Sequence, residues 1–352
     1  MSTNTAADVE AVEEIMRRGG PRLRERMALT EAHLERVTAE AGAPLASYAT
    51  ATVVAGGKRL RPLLVVLAAE SVGGGAEEHS ERELSLMRAA VAVELVHSAT
   101  LVHDDLIDGA ALRRGRPTIA AQAGRGAAIA TGDLLFSRAF AELARNGDRE
   151  QLRALSDASS ALAAGELLQR EDAYASDIDV ERYLERCRLK TAALFEAACR
   201  LGAQVAQPAA IGLAAALGEF AGRIGLAFQL LDDVLDVSGP ARRTGKARGT
   251  DLLDGTVTLP LILARERDQE IAAFDLTSLA GPEHPDESAQ RARARQAEEL
   301  CERIASTGAL DEARERALSI VSEAKALLPS LLPDGRYELL DLVADAVVER
   351  YC

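Results

Sequence analysis

The sequence has no tryptophan and only five tyrosines and six phenylalanines in 352 residues, so aliphatic side chains must fill its core. Its four cysteines (Cys187, Cys199, Cys301 and Cys352) show neither CxxC spacing nor a dense framework. This excludes a disulfide-stapled scaffold and fits reduced thiols. Positive charge is in deficit: 41 Lys and Arg face 55 Asp and Glu, a net charge of −14. Such a chain is a poor partner for nucleic acid or an anionic membrane, and any phosphate it binds needs local cations or metal ions. No uninterrupted apolar run approaches the roughly 18 residues of a membrane span. The longest resemble LLVVLAA at 63–69. The opening MSTNTAADVEAVEEIM is acidic where a secretory signal is basic and then apolar. A soluble, cytoplasmic chain without a transmembrane segment is expected.

Strand-type alternation is also missing. Windows such as LSLMRAAVAVELVHSATLVHDDLID and GEFAGRIGLAFQLLDDVLDV instead repeat apolar residues every three or four positions, the helical period. Hydrophobic residues make up 48% of the chain, enough for a large core. The breaks are short (SVGGGAEEH, VSGPARRTGKARGTD), so the expected fold is all-α, a bundle of many helices. LAGPEHPDESAQ at 279–290 is the clearest polar loop, but no long linker surrounds it, and one domain over 1–352 is expected.

Two short motifs stand out. DDLID holds Asp104, Asp105 and Asp108; DDVLD holds Asp232, Asp233 and Asp236. On a helix each triad gathers carboxylates on one face, at a cost in mutual repulsion. A solvated acidic face would explain one copy. Two copies, each following an apolar helical stretch, point to magnesium, which takes carboxylate and phosphate oxygens in octahedral geometry. A calcium-binding loop is excluded by the absence of its glycine-centred spacing. Cations lie nearby: Lys58, Arg59 and Arg61 in GGKRLRP, then Arg113, Arg114 and Arg116, then Lys190 and Lys246. Guanidinium groups match phosphate oxygens in pairs, and lysine adds point charge.

GGKRLRP, ELVHSATLVHDDLIDGAALRRGRPT, GDLLF, GELLQ, KTAALF, FQLLDDVLD and GKARGTDLLDGTVTLP occur in this order. The run, over about residues 50–265, resembles the trans-polyprenyl diphosphate synthases. The resemblance implies an isoprenoid synthase fold, in which helices surround a large central cavity and the two triads face each other. It implies three Mg2+ ions held on an allylic diphosphate by Asp104, Asp105, Asp108, Asp232, Asp233 and Asp236. Arg113 matches the arginine that contacts the allylic diphosphate. Lys58, Arg61, His97 and Arg114 match residues that bind isopentenyl diphosphate. Lys190, Thr191, Gln229 and Lys246 match groups around the allylic diphosphate and the developing cation. His103 has no counterpart and reads as structural. A homodimer is implied, and a heteromeric partner stays open.

The implied reaction is alkylation of an alkene. The allylic C–O bond breaks, the double bond of isopentenyl diphosphate attacks, and a proton leaves. Chain growth is expected to run down the helix that carries the first triad, where Ala99 and Thr100 are both small. A helix rises 5.4 Å per turn, about one isoprene unit, so a clear path implies a long product of roughly six or more units. GTDLLDGTVTLP, with Thr256 where many short-chain relatives carry lysine, also looks like the long-chain branch. The alternative is a farnesyl or geranylgeranyl diphosphate synthase. A class I terpene cyclase needs neither a second DDxxD nor GGKRLRP, and regulatory synthase subunits tend to lack the aspartates present here.

Overall fold

Helix formers throughout, with turn residues confined to short breaks, produce a succession of helices. The computed structural model describes residues 6–73, 80–113, 115–239, 248–281, 287–332 and 335–349. The first helices are α1 (Ala6–Arg18), α2 (Gly20–Ala39), α3 (Leu45–Val54), α4 (Leu60–Ser71) and α5 (Glu81–Ile107). A two-residue hairpin follows, β1 (Leu112–Arg113) against β2 (Arg116–Pro117). Then come α6 (Ile119–Ala123), α7 (Arg125–Ala144), α8 (Arg149–Glu171) and α9 (Val180–Cys187). A π-helical segment, Arg188–Ala192, leads into α10 (Ala193–Ala206) and α11 (Ile211–Ser238). The remainder is α12 (Thr250–Leu253), α13 (Leu259–Arg267), α14 (Gln269–Ala272), α15 (Glu287–Ser306), α16 (Ala309–Leu331) and α17 (Glu338–Glu349). The all-α expectation is met. The hairpin departs from it only because four paired residues are too few to show a periodicity.

Side-chain caps fix several of the helix starts. Ser80 accepts the Glu83 N–H at 3.3 Å to open α5, and Asp148 and Asp179 do the same for α8 and α9. The interior is built from α4, α5, α10 and α11, whose middle turns are buried on nearly every side. Among the described residues, only Tyr183, Phe195 and Phe220 supply large, fully buried aromatic rings, and Leu, Val, Ile and Ala do the rest. Gly132 of GDLLF lets α7 approach α5, because a Cβ there would overlap the His103 ring. The polar loop expected over 279–290 is helical from Glu287 onward, with 282–286 outside the described residues. The helices that follow reach the same core: α16 lies along α11, and α17 packs on α1. Helices α5 and α11 are long and apolar enough to cross a membrane by composition. Their most apolar windows are 72% and 50% buried within the bundle.

One ion network joins the outer helices to this core. Arg26 on α2, 3% exposed, donates two bonds of 2.7 Å to Glu83 on α5 and one of 2.8 Å to Glu70 on α4. Removing one side of a buried pair strands the other in a poor solvent. Arg26→Met should therefore cost about 3–5 kcal/mol, measured as a loss of unfolding free energy in urea.

Candidate active site

Helix geometry sets the first triad. His97, Leu101, Asp104 and Asp108 fall at i, i+4, i+7 and i+11 and share one stripe of α5. Burial eases along it, from half-buried His97, Leu101 and Asp104 to exposed Asp108 at the helix end. Across the cleft, α8 presents Glu166 and Arg170, and the π segment presents Lys190. Arg170 pairs with Asp108 and, at 3.0 Å, with Glu166; Lys190 pairs with Glu166 as well. Asp104 lies within this ladder. Burial pushes its carboxyl up to about 6, Lys190 opposes the rise, and the charges of Glu166 and Asp108 add to it. Asp105 is buried on another face, where Arg113 Nε donates to it at 2.6 Å. That pair lines a pocket of about 120 Å³ between α3, α5, the hairpin and α6, with Tyr48, Thr52, Arg116 and Gln122.

The second triad ends α11, and its three carboxylates have different settings. Asp232 is half-buried and close enough to attract the Arg61 guanidinium. Asp233 is buried and accepts from Tyr183 Oη at 2.6 Å and Gln229 Nε2 at 2.8 Å. Burial, with Asp251 nearby, pushes its carboxyl up to about 7 in spite of those two donors. Asp236 receives the backbone N–H groups of Thr250 at 3.2 Å and Asp251 at 3.1 Å, and so holds the start of α12.

The π segment joins the two motifs. Its neighbouring residues Lys190 and Thr191 point to different helices. Lys190 reaches Glu166 beside the first triad, whereas Thr191 Oγ1 donates to Gln229 Oε1 at 2.7 Å beside the second. Gly165 makes room for this arrangement, since a Cβ there would stand 2.5 Å from the Lys190 nitrogen.

GGKRLRP forms the third wall. Arg61, at the start of α4, lies 4.8 Å above the Phe195 ring, and its Nε is buried without a hydrogen-bond partner. Burial lowers this guanidinium to about 10, while Glu94 and Asp232 favour its charge. Lys58, three residues earlier, is half-buried. Arg114 and Lys246 lie outside the described residues. The chain-length pair divides. Thr100 is half-buried one turn before Asp104, its hydroxyl donating to the His97 carbonyl at 2.8 Å. Ala99 is fully buried on the stripe of His103, whose ring packs on Phe136 of α7. Sequence reasoning quoted GELLQ and KTAALF but gave no role to Glu166, Arg170, Tyr183, Glu94 or Phe195. Glu166 lies in GELLQ, Phe195 in KTAALF and Glu94 in ELVHSATLVHDDLID, whereas Arg170 and Tyr183 lie in none of the motifs.

A model of the family described as "Polyprenyl synthetase" matches residues 43–296. The chain belongs to the polyprenyl synthetase family. Its match reaches further on both sides than the motifs alone. The synthase is 40% identical over 258 residues to "Heptaprenyl diphosphate synthase component 2" of Geobacillus stearothermophilus, covering 73% of this chain and 77% of that one. It is 34% identical to a geranylgeranyl diphosphate synthase of Methanosarcina mazei over 85% of this chain and 87% of that one. A crystal structure of polyprenyl synthase from Caulobacter crescentus, complexed with calcium and isoprenyl diphosphate, superposes with a TM-score of 0.80. It is 34% identical, over 94% of this chain and 98% of that one. The synthase is thus a prenyl-transferring enzyme with the isoprenoid synthase fold.

Oxygen donors in a cleft with excess negative charge suit a hard divalent ion. Among the described residues, no three acidic, His or Cys side chains form a closed metal cage by themselves. Because the Asp104 carboxyl is raised to about 6, the folded state binds its proton more tightly than the unfolded chain. The stability it contributes is full below about pH 4 and is lost as pH rises through 6. In metal-free buffer, Asp104→Asn should therefore be more stable than the parent at pH 8, by about 1–2 kcal/mol. The gap should close by pH 4, as read from paired urea titrations.

Proposed function

We propose that the synthase condenses isopentenyl diphosphate with an allylic diphosphate in a magnesium-dependent reaction and repeats the step to a long-chain trans-polyprenyl diphosphate. The observation that carries this reading is Arg61. A buried guanidinium nitrogen without a partner is costly, and an arriving diphosphate oxygen would satisfy it. In this reading Lys58, His97 and Arg114 bind isopentenyl diphosphate, and Arg113, Lys190 and Lys246 bind the allylic diphosphate, roles that the family resemblance implies.

Asp104, Asp108 and Asp232 are the residues that would hold magnesium, which when bound neutralises the leaving diphosphate as a Lewis acid. Asp105, Asp233 and Asp236 have carboxylates engaged by Arg113, by Tyr183 and Gln229, and by the α12 amides. In this reading these contacts hold the three carboxylates in place beside the ions, as Arg170 holds Asp108. The allylic C–O bond breaks, a C–C bond forms to isopentenyl diphosphate, a proton is lost, and diphosphate departs. Thr191 and Gln229 present fixed dipoles to the developing positive charge, and the aliphatic cleft excludes water that would quench it.

A long product is supported by the small Thr100 on the stripe of Asp104 and by the heptaprenyl relative, whereas Ala99, expected to share that role, is packed in the core. The geranylgeranyl relative makes a shorter product the rival. A homodimer accompanies the reading, with exposed Ile129 on α7 and Leu167 on α8 as apolar surface for it.

Product analysis tests the proposal. Labelled isopentenyl diphosphate and magnesium are supplied with dimethylallyl, geranyl, farnesyl or geranylgeranyl diphosphate in turn, and the dephosphorylated alcohols are sized. The expected products are linear alcohols of about six or more isoprene units, one unit per helix turn left clear. Thr100→Phe, on the stripe of Asp104, should shorten them. Ala99→Phe enters a filled site and should also cost about 1–3 kcal/mol of stability. Cyclic hydrocarbon formed without use of isopentenyl diphosphate would overturn the reading.

A further inference from the structure

Arg59 is the cation of GGKRLRP that the proposed reaction does not use, and it cannot bind substrate as it stands. Its Nε and Nη2 donate to Glu31 at 2.5 and 3.1 Å, its Nη1 donates to Glu94 at 2.7 Å, and Nη2 also reaches the Val53 carbonyl at 2.8 Å. All three guanidinium nitrogens are engaged inside the protein. The backbone at Arg59 is left-handed, with φ 49°, a conformation that non-glycine residues rarely adopt. Such a residue persists where its surroundings hold it. Here the holding groups belong to α2, α3 and α5.

Glu94 explains what the arrangement achieves. Its side chain is 6% exposed, and two guanidinium groups act on it: Arg59, to which it is bonded, and Arg61, whose charge it favours without a hydrogen bond. A buried carboxylate cannot remain without a partner. If Arg59 were absent, Arg61 would be the other guanidinium whose charge already acts on it. Arg61 is also the group whose Nε awaits a partner above Phe195.

We propose that Arg59 is a positioning residue that occupies Glu94, so that the carboxylate does not capture Arg61 and the Arg61 guanidinium stays available to the diphosphate of isopentenyl diphosphate. The proposal rests on the function proposed above and adds a competition within the protein to it. Arg59 acts through Arg61 and touches no substrate.

The competition makes an unusual demand, which is rescue of one lesion by a second. Arg59→Met should raise the KM for isopentenyl diphosphate about tenfold or more while the KM for the allylic substrate stays within about twofold. Arg59→Met combined with Glu94→Gln should return the first value to within about threefold of the parent, because no carboxylate is left to hold Arg61. Arg59→Lys, which keeps a cation beside Glu94, should stay near the parent. Should Arg59→Met not fold, Glu94→Gln alone carries the test, with an unchanged or lowered KM for isopentenyl diphosphate expected.

A double variant as impaired as the single one would overturn the proposal. So would a parallel rise in both KM values, or a raised KM in Glu94→Gln alone. A parent enzyme that consumes no isopentenyl diphosphate with any starter would instead sink the proposed function, so the two failures are separable.

Discussion

Repulsion between carboxylates in a poorly hydrated cleft is the constraint on which the rest of the site depends. Helices α5 and α11 each end in three aspartates, and the fold keeps both ends close to other acidic groups. Burial alone would drive these groups to protonate, as the raised carboxyls of Asp104 and Asp233 record. The protein answers with cations at specific oxygens. Arg113 takes Asp105, Arg170 takes Asp108, and Lys190 approaches Asp104 while bonded to Glu166. The surplus that remains makes the cleft receptive to divalent ions.

The cationic wall obeys the same logic with the sign reversed. Arg61 leans on an aromatic face rather than a carboxylate, and its charge is favoured by Glu94 and Asp232 without being consumed by either. A guanidinium already locked in a salt bridge would have to break it to bind a diphosphate. One held by a ring and by distant charges does not. The π segment serves both triads, with Lys190 bonded to Glu166 of α8 and Thr191 bonded to Gln229 of α11.

Much of this was legible in the sequence, for identifiable reasons. The helices were readable because apolar spacing of three and four is a local property. The motif pairs were readable because DDLID and DDVLD compress their charge into five residues each. Glu166, Tyr183 and Glu94 were not readable in the same way. Each is an ordinary residue on an ordinary helix, and its role comes from a partner that is 24, 50 or 35 positions away. Likewise, no spacing rule separates Asp232 from its neighbour Asp233, which the fold turns inward to Tyr183.

The sequence by itself determined the helical class, the acidic and basic motifs and the order in which they occur, because these follow from composition and local periodicity. The tertiary structure alone decided which carboxylates point into the cleft and which hold a helix end. It also separated Thr100, on the stripe of Asp104, from Ala99, packed on the stripe that faces α7, and it left the Arg61 Nε without a hydrogen bond while engaging Arg59 completely. The physical reason is the same in each case. A side chain's charge and shape are local, whereas its burial and its partners are set by helices brought together from distant parts of the chain.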